Sequence, residues 1–509
     1  AWVPAMLLMH HVFAGLVTRG GSLAAPVDLF LRLFSVRPLI GSVAVLLVTT
    51  LVTPFLYLAG VILVKWTVIG RFRVEDDITR PWPMFERWLM WQLLPDGRFG
   101  GVATLLGSNF GAISVIYRLL GAKVGKRIFW PGSGNVMTEY DLFECGDDVT
   151  FGSRSTYLMT SAHGSRPIRI EAGANVADRC VLAPGVVVSR NAVLGSGTFA
   201  PEGFVAPAGS TWIGQDGQEA PIELEAATPR RVEAETLRPY GRAKYMGEAT
   251  YAVWPLGAHI VLNIAWAALG ALYRAAPMVG ALILTKAVMI AEGPGLSNEI
   301  LLLVAGFYLP LHLASAFGAL GVLVATKWMI IGRRVEGEHF WTHSSYCQRW
   351  KIHSVISSLS SGWFGNRNLL AFFEGSAFLV WYYRALGAQI GANVCLYPNG
   401  ADPMIEEPEF LHIGDDARID QAVLIAHLNT RGEWMMGPIQ IGAGACLRTA
   451  SRVMMMSTVG ERSTLLEGTL VLAGDSSTPS STWYGWPGEA ITPPAMANPP
   501  LTEARAEAA

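Results

Sequence analysis

Residues 168–197 read IRIEAG ANVADR CVLAPG VVVSRN AVLGSG, and residues 439–474 read IQIGAG ACLRTA SRVMMM STVGER STLLEG TLVLAG. Both runs divide into hexads. In each hexad an aliphatic or small residue recurs in step, and Gly, Asn or Asp falls between. A period of six suits a parallel β-helix, in which each hexad gives one flat face and turns a corner at a small residue. An antiparallel sandwich would instead show alternation broken by hairpin turns every 8–12 residues. The hexads favour a left-handed parallel β-helix, an exception to the usual right-handed crossover.

The hexads belong to a longer repeat. VKWTVIGRFR (64–73) returns as TKWMIIGRRV (326–335), and YRLLGAKVG (117–125) as YRALGAQIG (383–391). ECGDD (144–148) returns as HIGDD (412–416), and GSTWIGQDG (209–217) as SSTWYGWPG (480–488). The spacing is domain-sized, so the chain is an internal duplication. Each copy is an apolar segment, a basic flank and a soluble module.

Hydrophobic residues make up 51% of the chain and charged residues 15%, a low charge content for a soluble enzyme. Residues 39–64 and 301–326 hold no charge and are long enough to cross a bilayer core of about 20 helical residues. Residues 1–18 and 251–273 are two further candidate spans, giving two per copy. Residues 23–40 and 274–293 mix basic and apolar residues and read as interfacial or re-entrant helices. Pro54 and Pro310 fall within the long spans, where proline is tolerated.

Basic residues crowd the ends that face the modules: Lys65, Arg71, Arg73, Arg238, Arg242, Lys244, Lys327, Arg333 and Arg334. The opposite ends carry Arg19, Arg32, Arg37, Arg274 and Lys286. The positive-inside rule then places both modules in the cytoplasm of a plasma-membrane protein, with Ser165 and Asn429 as exposed positions. Trp- and Arg-rich stretches follow each hairpin, at 81–101 and 336–358, and read as interfacial amphipathic helices or as helices packed on the modules.

The resulting organisation is a transmembrane hairpin with interfacial helix (1–70), linker helices (71–125), β-helix module 1 (126–225), a linker (226–250), a second hairpin (251–332), linker helices (333–391), β-helix module 2 (392–490) and a disordered tail (491–509). The net charge of −2 predicts no nucleic-acid surface. Cys145, Cys180, Cys347, Cys395 and Cys446 form no CxxC pair and no zinc spacing, so free thiols and no metal are expected. Ala1 lies inside an apolar run without an initiator Met or a signal-peptide pattern, and the chain reads as the C-terminal part of something longer.

Hexads, an [IV]G-[DA]-type corner, a lone His on the early coils and a closing W-x-G-x-P-[AG] resemble the hexapeptide-repeat acyltransferases. Two such modules, each after membrane spans and preceded by YR-x-LGA-x-[IV]G, resemble a narrower group. This is the membrane-embedded C-terminal region of the ε-poly-lysine synthetase family of non-ribosomal peptide synthetases. The resemblance implies an acyltransferase that joins an amine or hydroxyl acceptor to a carrier-bound acyl or aminoacyl thioester. No cofactor would be bound by this chain; the donor would be a phosphopantetheine thioester on a carrier domain, or coenzyme A. Partners would be the bilayer, a carrier protein or upstream adenylation–carrier region, a small amino acid or amine, and β-helices in a threefold or pseudo-threefold assembly. No adenylation core or carrier serine motif is present here, and the family usually has three modules where two are found.

Forming an amide from a thioester needs a base for the acceptor and a donor for the oxyanion. His163, in LMTSAHGSRP, and His427, in VLIAHLNTRG, stand just before PIRIEAG and PIQIGAG and are the candidate catalytic bases. A structural reading, a corner His bonded to backbone, stands beside the catalytic one. His427 is followed by Asn429 and Arg431, matching the family's polar run, so the first module reads as a weakened copy. Asp416 and Asp148 in the GDD corners, and Asp420 one coil before His427, are candidates to orient the imidazole or to make a tight turn. Arg384 and Arg118 are candidates for a donor phosphate, or are ordinary helix-end arginines. Trp212 and Trp483 read as caps of the coils. Competing readings are a coenzyme-A-dependent acetyltransferase, a non-enzymatic membrane scaffold and, more weakly, a transporter.

Overall fold

A computed structural model describes residues 36–491, apart from 96–98, 100, 108–110, 132–133, 215–220, 224–246, 293–299, 361–362, 364–368, 399–404, 406 and 431–432. The candidate span at 1–18 and the tail beyond 491 lie outside the described residues. The chain forms two compact units. One comprises 1–331, 340–369 and 430–433; the other comprises 332–339, 370–429 and 434–509.

In the first unit, Val187 pairs in parallel with Val205 and Val193 with Thr211, and Phe199 pairs in parallel with Val181. Every step is eighteen residues, three hexads, so one coil brings the chain back beneath itself along three ladders. The second unit repeats this: Ile441 pairs with Val459, Cys446 with Thr464 and Arg452 with Leu470. Within a hexad the middle aliphatic points inward; Val176, Leu182, Val188 and Leu194 are all fully buried. Corners need the left-handed backbone, and Asp148 (φ 59°) and Asp416 (φ 58°) of the two GDD segments adopt it. The glycine before them is required by coil spacing. A Cβ on Gly414 would lie 2.5 Å from the Ala443 nitrogen of the next coil.

Before these regular coils each unit has a longer step, because a loop is inserted. Tyr157 pairs with Leu182 and Leu424 with Val453. The extra residues form a tight antiparallel hairpin, Thr160–Ser161 with Gly164–Ser165, in the first copy. In the second copy they form the longer strands His427–Thr430 and Glu433–Met436.

Two helices, Leu256–Ala291 and Leu302–Ile331, are long and apolar enough to cross a membrane. A third candidate is the pair Gly41–Leu51 and Thr53–Ile69, bent by 41°. The bend falls where Pro54 opens the second helix, a position at which the missing N–H costs nothing. The interfacial break expected at 274 does not occur: Leu256–Glu292 is one helix of 37 residues with Pro277 inside it. A proline removes a single ladder bond, and an apolar run of this length absorbs that loss. The basic flanks also behave differently from expectation. Lys65 and Lys327 are buried rather than turned to solvent, each over its neighbouring indole, Trp66 or Trp328.

Helix Pro81–Leu93 leaves Trp82, Met84, Trp88 and Trp91 exposed and buries Met90. Its counterpart Tyr346–Ser357 instead buries Tyr346, Cys347, Gln348 and Lys351. All five cysteines are free thiols.

Candidate active site

Each GDD corner is preceded by a short 3-10 turn, Tyr140–Leu142 or Pro408–Phe410. Each turn carries two carboxylates at matching places, Glu139 and Asp141 in one copy, Glu407 and Glu409 in the other. The second carboxylate of each pair anchors the segment that follows an apolar helix. In the first unit Lys65 Nζ lies 2.8 Å from Asp141 Oδ2, and the Phe72 amide donates to the same oxygen at 3.1 Å. In the second unit Arg334 Nη1 donates to Glu409 Oε2 at 2.6 Å, with side chains 2% and 4% exposed. Arg334 stands where the first copy has Phe72, so the cation has moved along the repeat while the anchor has been kept.

The first carboxylate separates the copies. Glu407 is buried, and its Oε1 lies 3.0 Å from His427 Nδ1. The imidazole stacks on Trp434, with centroids 4.5 Å apart and planes 18° from parallel. The base of the loop is closed by the Gly437 amide donating to the Ala426 carbonyl at 3.1 Å. His427 therefore has a fixed ring plane, with its Nδ1 side committed to Glu407 and one fifth of the side chain exposed. Burial alone would raise the Glu407 carboxyl. The charge of His427 in contact with it and the charge of Arg334 outweigh burial and hold the carboxyl below its ordinary value of 4.5. A buried carboxylate on Nδ1 fixes the tautomer that presents Nε2 as the basic nitrogen, and stabilises the imidazolium once a proton is taken.

A depressed folded value has a definite sign. Ionised Glu407 contributes stability at and above pH 4.5 that is lost as the pH falls through the lower folded value. Wild-type protein should lose more stability between pH 6 and pH 3 than Glu407→Gln does, as read by thermal unfolding of the whole chain. Equal losses would contradict the ionised pair.

In the first unit the matching carboxylate is held otherwise. Arg87 Nε donates to Glu139 Oε1 at 3.0 Å, and Thr160 Oγ1 donates to the same oxygen at 2.5 Å. Arg87 also reaches Glu75 and Ser165. The ladder register fixes the correspondence: Thr160 lies three residues after Tyr157, as His427 lies three after Leu424. Thr160, not His163, is thus the positional counterpart of His427. His163 sits at the tip of the short hairpin, 83% exposed, with Nδ1 3.2 Å from Glu202 Oε2.

The remaining candidates are placed as follows. Asp420 accepts from Thr449 Oγ1 at 2.9 Å, and Asp416 accepts from Asn393 Nδ2 at 3.2 Å in its corner. Neither is the acid on His427. Arg384 donates to the carbonyls of Ile390 and Gly391, closing the end of its helix, and Arg118 does the same with Val124 and Gly125. Asn429 lies in the same strand as His427. Arg431 lies outside the described residues. Trp212 and Trp483 stand near the last coil of each module, their indoles donating to Ser210 and Ser481. Glu407 was missed by sequence reasoning. Its signal was the carboxylate recurring seven residues before the corner glycine in both copies.

The fold and this pair define a class: eighteen-residue hexad coils with an inserted loop whose histidine meets a buried carboxylate from an upstream 3-10 turn, attached to apolar helices. No family model matches the chain. It is 24% identical over 421 residues to the delta-poly-L-ornithine synthetase of Acinetobacter baumannii, covering 79% of this chain and 28% of that protein. The chain thus spans little more than a quarter of that relative's length. Among solved structures it is similar to a hexapeptide-repeat acetyltransferase of Vibrio cholerae (17% identity, 23% of this chain and 79% of that one, TM-score 0.20). The same Vibrio protein complexed with acetyl coenzyme A gives 18% identity, 23% and 76% coverage and a TM-score of 0.20. Soybean serine acetyltransferase gives 15% identity, 48% and 79% coverage and a TM-score of 0.19.

Proposed function

We propose that the second module is an acyltransferase that forms an amide between an acceptor amine and a thioester-bound aminoacyl group. The reaction is the bond-forming step of a non-ribosomal amino-acid homopolymer synthesis of the ε-poly-lysine type. The observation that carries this is the buried Glu407 on Nδ1 of His427, an arrangement suited to general-base work. His427 takes a proton from the acceptor as its nitrogen attacks the thioester carbonyl. The tetrahedral oxyanion collapses, the C–S bond breaks, and the thiolate leaves with a proton returned from the imidazolium. Similarity to a poly-ornithine synthetase supports an aminoacyl donor and an amino-acid acceptor. Phosphopantetheine on a carrier is the donor that fits this reading, with coenzyme A the alternative. The coils are read as left-handed, and the first module as a copy that keeps the anchor and has given up the base.

The test is direct. Full-length chain in detergent is given an aminoacyl thioester and a panel of amines, and thiol release and amide product are measured. Product that depends on His427 supports the reading. Thiol release no faster than with the His427→Gln protein would overturn it.

The modules are placed on the cytoplasmic side, from the basic flanks. Ser165 is unsuitable for testing this because it is fully buried, held by Arg87. Lys123, with a side chain 72% exposed, serves instead. A cysteine at position 123 should resist an impermeant thiol reagent in intact cells and react after lysis; reaction in intact cells would reverse the assignment.

A further inference from the structure

The first unit contains a cavity of about 420 Å³ among the helices, with Thr50, Thr104, Trp266, Gly270, Arg274 and Ser358 in its wall. Arg274 stands halfway along helix Leu256–Glu292, inside a candidate span. The preceding stretch 256–273 holds no Asp, Glu, Lys or Arg. An arginine among membrane helices is costly unless it is paired or faces a polar cavity. Among the described residues no carboxylate or carbonyl is bonded to this guanidinium. Room is kept for it: a Cβ on Gly270 would lie 3.5 Å from both Nη1 and Nη2. Trp266 Nε1 is buried in the same wall without a hydrogen-bond partner. A buried indole N–H without an acceptor is costly, and so marks a place where an acceptor belongs.

The chemistry of the wall is one-sided. Arg274 offers a planar fork of N–H donors, Trp266 one N–H, and Thr50 and Thr104 hydroxyls, while Ser358 Oγ donates to the Val355 carbonyl. Among the described residues no acidic side chain lines the cavity. Such a set suits an anion with several acceptor oxygens, and a guanidinium fork matches phosphate geometry. The flanks are apolar: Val52, Leu56, Leu269 and Leu272 on the two neighbouring helices are exposed. We propose that this cavity binds the phosphate of an anionic membrane lipid, whose oxygens accept from Arg274 and Trp266 while its acyl chains lie along those exposed side chains. The site is independent of His427 and of the reaction assigned to it.

The test uses the full chain in phosphatidylcholine nanodiscs, with phosphatidylglycerol titrated in and binding read by thermal shift and native mass spectrometry. Wild-type protein should retain phosphatidylglycerol over phosphatidylcholine. Arg274→Gln should weaken that retention about tenfold or more, the usual worth of a charged hydrogen bond, and Arg274→Lys should restore part of it. Gly270→Leu should weaken retention with Arg274 intact, by filling the space in front of the guanidinium. His427→Gln should bind lipid as wild type does, which separates this site from the acyl-transfer reading. Equal retention by wild type and Arg274→Gln would overturn the proposal. So would a thermal shift reproduced by inorganic phosphate alone, which would assign the site to a soluble anion, or equal retention of the two lipids.

Discussion

Replacing His427 by glutamine lowers the rate of thioester aminolysis by about 10²–10⁴-fold, the usual worth of a general base. Glutamine is the informative substitution. Its amide still donates to Glu407, so the buried carboxylate keeps a partner, but it cannot take a proton from the acceptor. Alanine removes the base as well, and in addition strips the partner from a buried carboxylate and the ring stacked on Trp434. His427→Ala should therefore also destabilise the protein, because a buried charge left without its partner is destabilising. His163→Ala should leave the rate within about twofold of wild type, since an exposed hairpin-tip ring lacks a buried carboxylate to tune it. Loss of activity in His163→Ala with full activity in His427→Gln would move the reaction to the first copy.

Breaking the Arg334–Glu409 pair should cost about 3–5 kcal/mol of stability, because removing one member leaves the other as an uncompensated buried charge. Arg334→Met and Glu409→Leu should each lower the unfolding midpoint of the full chain. The double variant should recover most of the loss, since an apolar pair of similar volume is often neutral or better. Arg334 also helps hold the Glu407 carboxyl low. The single Arg334→Met protein should therefore lose activity at mildly acid pH before wild type does. Additive single losses, with no recovery in the double variant, would show that the pair does not act as a unit.

The hexads and corners were legible in the sequence because they are local. IRIEAG and IQIGAG carry their own period, and the GDD segments contain both the close-approach glycine and an aspartate that tolerates the left-handed region. The partner of His427 was not legible from its neighbourhood. A coil brings together residues a full turn apart, and Glu407 lies twenty residues upstream on a 3-10 turn, while the nearer Asp420 is occupied by Thr449. Matching the copies by histidine also misled, because the shorter first loop carries His163 past the position that Thr160 fills. The Arg384 side chain reads as a ligand in one dimension and closes a helix in three.

The eighteen-residue step sets which insertions and deletions this chain can accept. Removing one hexad from a coil would turn every later residue onto the next face, carrying ladder partners such as Val453 and Val471 out of register. Removing three hexads would shorten the prism by one storey and leave its faces aligned. Length changes inside the inserted loop disturb neither, because the chain leaves one ladder and rejoins at the next, as it does at every corner. Natural variation and engineered diversity should therefore concentrate in that loop, where altered acceptor preference can be gained without rebuilding the stack beneath it.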